Sequence, residues 1–278
     1  MLNVSLGYFI AVVAVCTLAR FLVVRQRKLW LFLVELTAAF GLAACRLEVQ
    51  TISEIGQWAG GLGADVSLTM LFLAIIVHGV IMQGVTGNPS MSLMGLLQKE
   101  AGVVFTTLSI ASQFTGAHLA LLLASWYWKM ELIDMHMIKN MMLAECTSSL
   151  NASLIQGTIV EVVGALVYYL TVLSLRRRSQ LLQIPLLALL LTFLYYVGSG
   201  YTSAYVNPSL AYALTFTCPG HTFLEYAVVY WLGPFFGMTL ALFLYRGNIP
   251  LLFNKNLLYS KKSRFRSPKA KNTEEKKK

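Results

Sequence analysis

The chain has 278 residues, 57% of them apolar and only 12% charged, with a net charge of +10 and a mean hydropathy of +0.65. Soluble domains carry about twice that share of charge. The composition therefore excludes an ordinary soluble enzyme or binding module and leaves room for six or seven bilayer crossings of about 20 residues each. The excess charge is concentrated at 246–278, where eleven Lys/Arg face only Glu274 and Glu275. After a membrane domain such a tail marks the cytoplasmic side and an anionic lipid surface, so no nucleic acid partner is expected. Cys16, Cys45, Cys146 and Cys218 have no metal-ligand spacing, and Cys16 and Cys45 lie in apolar runs. No metal, no cofactor and no disulfide framework is expected.

The first apolar run, 2–24, carries one charge, Arg20, and is followed by Arg25, Arg27 and Lys28. A signal peptide has its basic residues before the apolar core, so this run reads as an uncleaved helix, spanning or lying in the interface. Six core spans follow at 29–47, 66–83, 103–127, 154–175, 184–201 and 223–245. Basic residues at 25–28, Lys99, Arg176, Arg177, Arg178 and the tail then share one side of the membrane. Glu48, Glu54, Asp65, Glu131 and Asp134 are assigned to the loops opposite, beside Arg46, Lys129 and Lys139. The chain divides into an N-terminal helix and basic linker (1–28), a first repeat (29–128), a connecting loop (129–153), a second repeat (154–245) and the tail (246–278).

Between the second and third core spans, and again between the fifth and sixth, lies an apolar stretch too short to cross, at 88–97 and 207–217. Each opens with Asn-Pro-Ser: Asn88, Pro89, Ser90 and Asn207, Pro208, Ser209. Asn is a favoured N-cap and Pro a favoured first helical residue, so each triplet starts a helix. About ten residues cover roughly 15 Å, half the hydrocarbon thickness. Half-helices entering from opposite sides can meet end to end at the midplane and supply the two halves of one pore. Glu35 and Glu161 occupy the first and fourth core spans, and three spans per half force the halves into opposite orientations, an inverted repeat.

With the paired Asn-Pro motifs stand VEL at Glu35, QFTG (Gln113, Gly116), EVVG (Glu161, Gly164), the Arg run 176–178 and YWLGPFFG (Trp231 to Gly237). In this order they resemble the aquaporins, the major intrinsic protein family. Departure from Asn-Pro-Ala in both motifs, with Cys218 nine residues after Ser209, is typical of the unorthodox aquaporins, or superaquaporins. The resemblance implies an all-α polytopic membrane protein: a right-handed bundle of six transmembrane helices, two re-entrant half-helices and, here, an extra N-terminal apolar helix. It also implies a homotetramer with one pore per subunit, in an intracellular membrane such as the endoplasmic reticulum or a vesicle.

The function so implied is a passive channel for water and small neutral solutes, and no enzyme. Asn88 and Asn207 would donate to a passing water oxygen while both half-helix N-termini repel cations; the plainer reading is that each Asn only caps its helix. Glu35 and Glu161, with Gln113, would brace the half-helices; a proton-coupled transporter would use the carboxylates as carriers instead. Leu210 stands where conventional aquaporins have an arginine. The other filter positions fall at Tyr195, Ala204 and either Leu68 or Met70. An outer constriction without that arginine is expected to be apolar, favouring glycerol or hydrogen peroxide, or slowing water. His78, His118, His136 and His221 form no spaced cluster, and Asn3 and Asn151 begin glycosylation sequons. The rival readings are an ion-coupled secondary transporter and a non-conducting structural protein.

Overall fold

The computed structural model describes residues 2–25, 31–142 and 146–259, which form helices α1 (Leu2–Arg25), α2 (Leu31–Gly60), α3 (Ala64–Met82), α4 (Pro89–Leu97), α5 (Val103–Trp128) and α6 (Asp134–Met141). They continue as α7 (Leu154–Leu175), α8 (Gln180–Gly198), α9 (Pro208–Ala211), α10 (Phe223–Ala227) and α11 (Gly233–Arg246). A π-helical turn at Tyr212–Phe216 prolongs α9, and another at Val228–Leu232 joins α10 to α11 as one span. Arg27, Lys28 and the basic tail beyond Tyr259 lie outside the described residues.

Six of these helices are long and apolar enough to cross a bilayer: α1, α3, α5, α7, α8 and the α10–α11 span. The chain is a multi-pass, all-α membrane protein. Helix α2 is missing from that set because it carries Arg46, Glu48 and Glu54 as well as Glu35. It is nevertheless the partner of α5, as α7 is of α11, and these two pairs make the most extensive helix contacts in the molecule. Both pairs close on a glycine. A Cβ on Gly116 would strike the Leu36 carbonyl, and one on Gly237 would strike the Val162 carbonyl. Backbones this close exclude any side chain larger than hydrogen, and the same device in each half fits an inverted repeat.

Three expectations about the loops need correction. Arg46, Glu48 and Glu54 are not in a loop: α2 runs to Gly60, thirteen residues past the expected end of that span. Glu48 is 1% exposed, yet its Oε1 accepts a 2.6 Å bond from the Ser5 hydroxyl and lies 2.9 Å from His136 Nε2, while Oε2 accepts from Trp128 Nε1 at 3.0 Å. A carboxylate with three partners can sit at a helix interface where a bare one cannot. That node ties α1, α2, α5 and α6 together at one end of the bundle. At the other end of α1, Arg20 donates to Gln83 Oε1, just past α3. Helix α1 thus runs the height of the bundle against α2 and α3, and Ile10, Leu18 and Phe21 remain on its exposed outer face.

The second correction is α6, a helix within the connecting loop; its buried Met135 and His136 are what hold it down. The third is a disulfide. Cys146 and Cys218, with Cα atoms 5.2 Å apart, are bonded and tie the connecting loop to the segment after α9. Cys16 and Cys45 are free and buried, as their apolar context suggests.

Candidate functional site: a cavity between two re-entrant arms

Each Asn-Pro-Ser triplet starts a helix by the same local physics. Asn88 and Asn207 adopt extended backbone, and their side-chain oxygens accept the orphan amides of the first turn: Ser90 N at 2.9 Å, and Ser209 N and Leu210 N at 3.1 and 3.4 Å. Pro89 and Pro208 occupy the first helical position, where no donor is lost. Both asparagines are 5% exposed.

The two helix starts abut. Asn88 Nδ2 donates to the Val206 carbonyl at 3.0 Å, Ser209 Oγ donates to the Gly87 carbonyl at 2.8 Å, and Asn207 Nδ2 reaches the same carbonyl at 3.4 Å. Residues 120 positions apart therefore close a single junction. Asn88 Nδ2 also donates to the Tyr169 hydroxyl at 3.1 Å, so both of its N–H bonds have protein acceptors. Tyr169 was not among the residues expected at the site; it lies on α7 one residue beyond Tyr168, which lines the cavity.

Behind each junction stands a carboxylate from the first long helix of its half. Glu35 Oε2 accepts Gly87 N at 3.1 Å and Gln113 Nε2 at 2.9 Å, and Gln113 also donates to Ser92 Oγ on α4. Glu161, fully buried, accepts Tyr205 N at 3.0 Å and the Thr202 hydroxyl at 2.9 Å on one oxygen, and Val206 N at 2.9 Å on the other. The carboxylates hold backbone that belongs to no helix or sheet, which is what non-helical chain at membrane depth requires.

A cavity of about 180 Å³ passes beside the junction, lined by Asn88, Asn207 and faces of α2, α3, α7 and α8. Tyr195, Ala204 and Leu210 all line it. Leu68 and Met70 do not: the α3 face turned to the cavity carries Leu71, Ile75, His78 and Gly79, and Met70 packs toward α1. Met70 precedes Leu71 by one helix position, about 100° of rotation, and Leu68 precedes it by three. Beyond the cavity lies a wider vestibule of about 630 Å³, bordered by Gln50, Trp58, Cys146 and Ser148. One further residue was missed because it was read as a loop cation. Arg46, 4% exposed, reaches the cavity from α2, with its guanidinium 4.0 Å from the centre of the Tyr195 ring and 5.8 Å from that of Tyr205. The outer end of this cavity is therefore not without a fixed cation.

The remaining histidines have separate tasks. His78 Nε2 meets the Ala38 carbonyl at 2.9 Å, His118 Nδ1 the Tyr212 hydroxyl at 3.1 Å and His221 Nδ1 the Ser148 hydroxyl at 2.8 Å. Among the described residues no group of three His, Cys, Asp or Glu is placed to hold a metal.

Two inverted halves, each with a long helix pair closed on glycine and a re-entrant arm meeting its counterpart beside a cavity, define a channel-type membrane protein. A family model described as major intrinsic protein matches residues 13–245, and the chain belongs to that family, within its unorthodox, superaquaporin group. It is 42% identical to mouse aquaporin-12 over 277 residues, covering 97% of this chain and 94% of the relative. It is 29% identical to human aquaporin-11 over 270 residues, covering 92% and 94%, and 28% identical to rat aquaporin-11 over 258 residues, covering 91% and 93%. Family membership supports a channel role.

Proposed function

We propose that the protein is a passive channel for water and small neutral solutes, conducting along the cavity beside the Asn88–Asn207 junction. The observation that carries this reading is the pair of cross-arm bonds, Asn88 Nδ2 to Val206 O and Ser209 Oγ to Gly87 O, beside a cavity lined by Asn88, Val206 and Asn207. At that junction the N-terminal ends of α4 and of the α9 segment face each other, so their partial positive charges add where a solute would pass. A neutral dipole reorients there at little cost, whereas a cation meets a barrier from both sides. Asn207 Nδ2, whose one protein acceptor lies at 3.4 Å, is the freer of the two amide nitrogens and is assigned the main contact with a passing oxygen. Pro89 and Pro208 set the two turns. Ser209 locks the arms through Gly87, and Ser90 lies buried at the first turn of α4.

Glu35, Gln113 and Glu161 act as braces. Glu35 and Glu161 accept from backbone amides of the arms, and Gln113 donates to Glu35 and to Ser92 on α4, which favours that role over proton carriage by an ion-coupled transporter. The inner walls, Leu71, Ile75, Leu187, Leu191 and Leu210, are apolar, which suits glycerol or hydrogen peroxide alongside water. The working unit is a homotetramer with one pore per subunit, in an intracellular membrane with the basic tail cytoplasmic. Stopped-flow light scattering on proteoliposomes tests the activity: osmotic shrinkage faster than in empty liposomes, independent of ion gradients, is expected. Uptake driven by an ion gradient would point to a transporter, and behaviour equal to empty liposomes to a non-conducting scaffold.

A further inference from the structure

Arg46 is an expensive residue where it stands. It is 4% exposed, and its Nη1 is buried without any protein acceptor. The nearby carboxylates are committed elsewhere: Glu48 to Ser5, Trp128 and His136, and Glu54 to Lys139 at 2.7 Å and Gln50 at 2.5 Å. No hydrogen bond or ion pair to Arg46 is formed among the described residues; its contacts of note are the faces of Tyr195 and Tyr205. Ring faces recover part of the desolvation of a guanidinium but leave its N–H donors unmet. A buried cation with free donors is retained when something passing through needs them.

Its position says what passes. Arg46, Tyr195 and Ser203 line both the inner cavity and the outer vestibule, so they stand at the neck between the two. Leu210, where a conventional member of the family carries its filter arginine, lines the same inner cavity. We infer that α2 supplies the cation of the outer constriction: Arg46, held over the Tyr195 ring, is the specificity-determining residue of this channel in place of the residue at 210. This rests on the channel reading above. Its positive charge excludes cations and hydrated protons at the neck. Its unpartnered Nη1 offers N–H donors to the oxygen of water or a polyol, and its seat over the Tyr195 ring sets the clearance for larger solutes. The arrangement puts the charge on α2 and an apolar side chain, Leu210, at the start of α9, both lining the inner cavity.

Proteoliposomes carrying wild type, Arg46→Leu, Arg46→Gln and the exchange variant Arg46→Leu/Leu210→Arg, each shown monodisperse and of native melting temperature, decide this. Osmotic water flow, glycerol flow and proton leak under a pH gradient are read on each. Arg46→Leu should keep water flow, raise proton leak about tenfold and raise glycerol flow relative to water. The exchange variant should bring leak and solute ranking back toward wild type. Where Arg46→Leu does not fold, Arg46→Gln carries the test: it keeps a polar amide but no charge, and the same rise in leak is expected. A folded Arg46→Leu or Arg46→Gln with wild-type leak and solute ranking overturns the inference while leaving the channel intact. Wild-type liposomes that move water no faster than empty ones overturn the channel reading and this inference together.

Discussion

The two re-entrant arms reach the same junction by different means. In the first, the backbone enters left-handed φ at Gly84 (92°) and Gly87 (61°), with only Gln83 (48°) as a side-chain-bearing exception. In the second, the left-handed positions are Ser203 (64°), Ala204 (42°) and Val206 (53°). A β-branched residue in that region is a genuine outlier, and each such position costs about 1–3 kcal/mol. The bracing follows the strain. Glu35 uses one oxygen, for one backbone amide and the Gln113 side chain, whereas Glu161 uses both, for two backbone amides and a hydroxyl. The half-helices differ too: α4 is nine regular residues, while α9 is four residues continued by a π-helical turn, with the disulfide at Cys218 just beyond. The first arm is relaxed backbone fitted by close approach; the second is strained backbone held by a carboxylate and a covalent tie.

The largest expected effect separates these two designs. Gly87→Ala should abolish folded protein, because a Cβ there meets Ala39 Cα at 2.6 Å and Ala38 C at 2.9 Å, which are backbone atoms that cannot yield. At the corresponding place in the second arm, Val206→Gly should cost no more than about 1 kcal/mol, since relief of strain offsets lost burial. Fluorescence size-exclusion after graded heating checks both, and equal tolerance of the two changes would erase the distinction.

Next comes the tie. Cys218→Ser frees a loop of 72 residues' separation and should lower unfolding free energy by about 2–4 kcal/mol, seen as a lower melting temperature that reductant no longer shifts. The bracing carboxylates should then part company. In Glu161→Gln an amide nitrogen must face either Val206 N or the Tyr205 and Thr202 donors, which costs about 1–3 kcal/mol. In Glu35→Gln the amide oxygen can keep the single position that accepts both bonds, so the change should be close to neutral. Melting temperatures of the two variants in one detergent decide it; a larger fall for Glu35→Gln would reverse the comparison. The smallest effect concerns flow. Tyr169→Phe releases the Asn88 N–H now given to the tyrosine hydroxyl and should raise water permeability about twofold or less, with no change in solute ranking.

What could be read in the sequence was what depends on local pattern. Apolar runs placed α3, α5, α7 and α8 within a few residues, and Asn-Pro-Ser placed both helix starts, because capping is a property of three adjacent residues. What escaped depends on partners far along the chain. Glu48 reads as a loop residue until Ser5, Trp128 and His136 surround it. Arg46, two residues earlier, was lost with it, although its stacking partner Tyr195 was already marked as a filter residue. The Cys146–Cys218 bond joins two loops whose proximity follows only from the folded bundle. The turn of α3 from Leu68 or Met70 to Leu71 was missed because an apolar helix, buried on one side and facing lipid on the other, carries no sided pattern to read.

Solute passage along the cavity beside the Asn88–Asn207 junction can be tested by thiol labelling of its wall. Leu191 lines that cavity from α8, whereas Leu189 on the same helix is 58% exposed on its outer surface. Osmotic water flow is to be measured in proteoliposomes of wild type, Leu191→Cys and Leu189→Cys before and after a small mercurial. The mercurial should lower flow to near the empty-liposome rate in Leu191→Cys and leave Leu189→Cys and wild type, with its two buried free cysteines, unchanged. Water flow in Leu191→Cys that the mercurial does not touch, or that falls equally in Leu189→Cys, would contradict passage along this cavity.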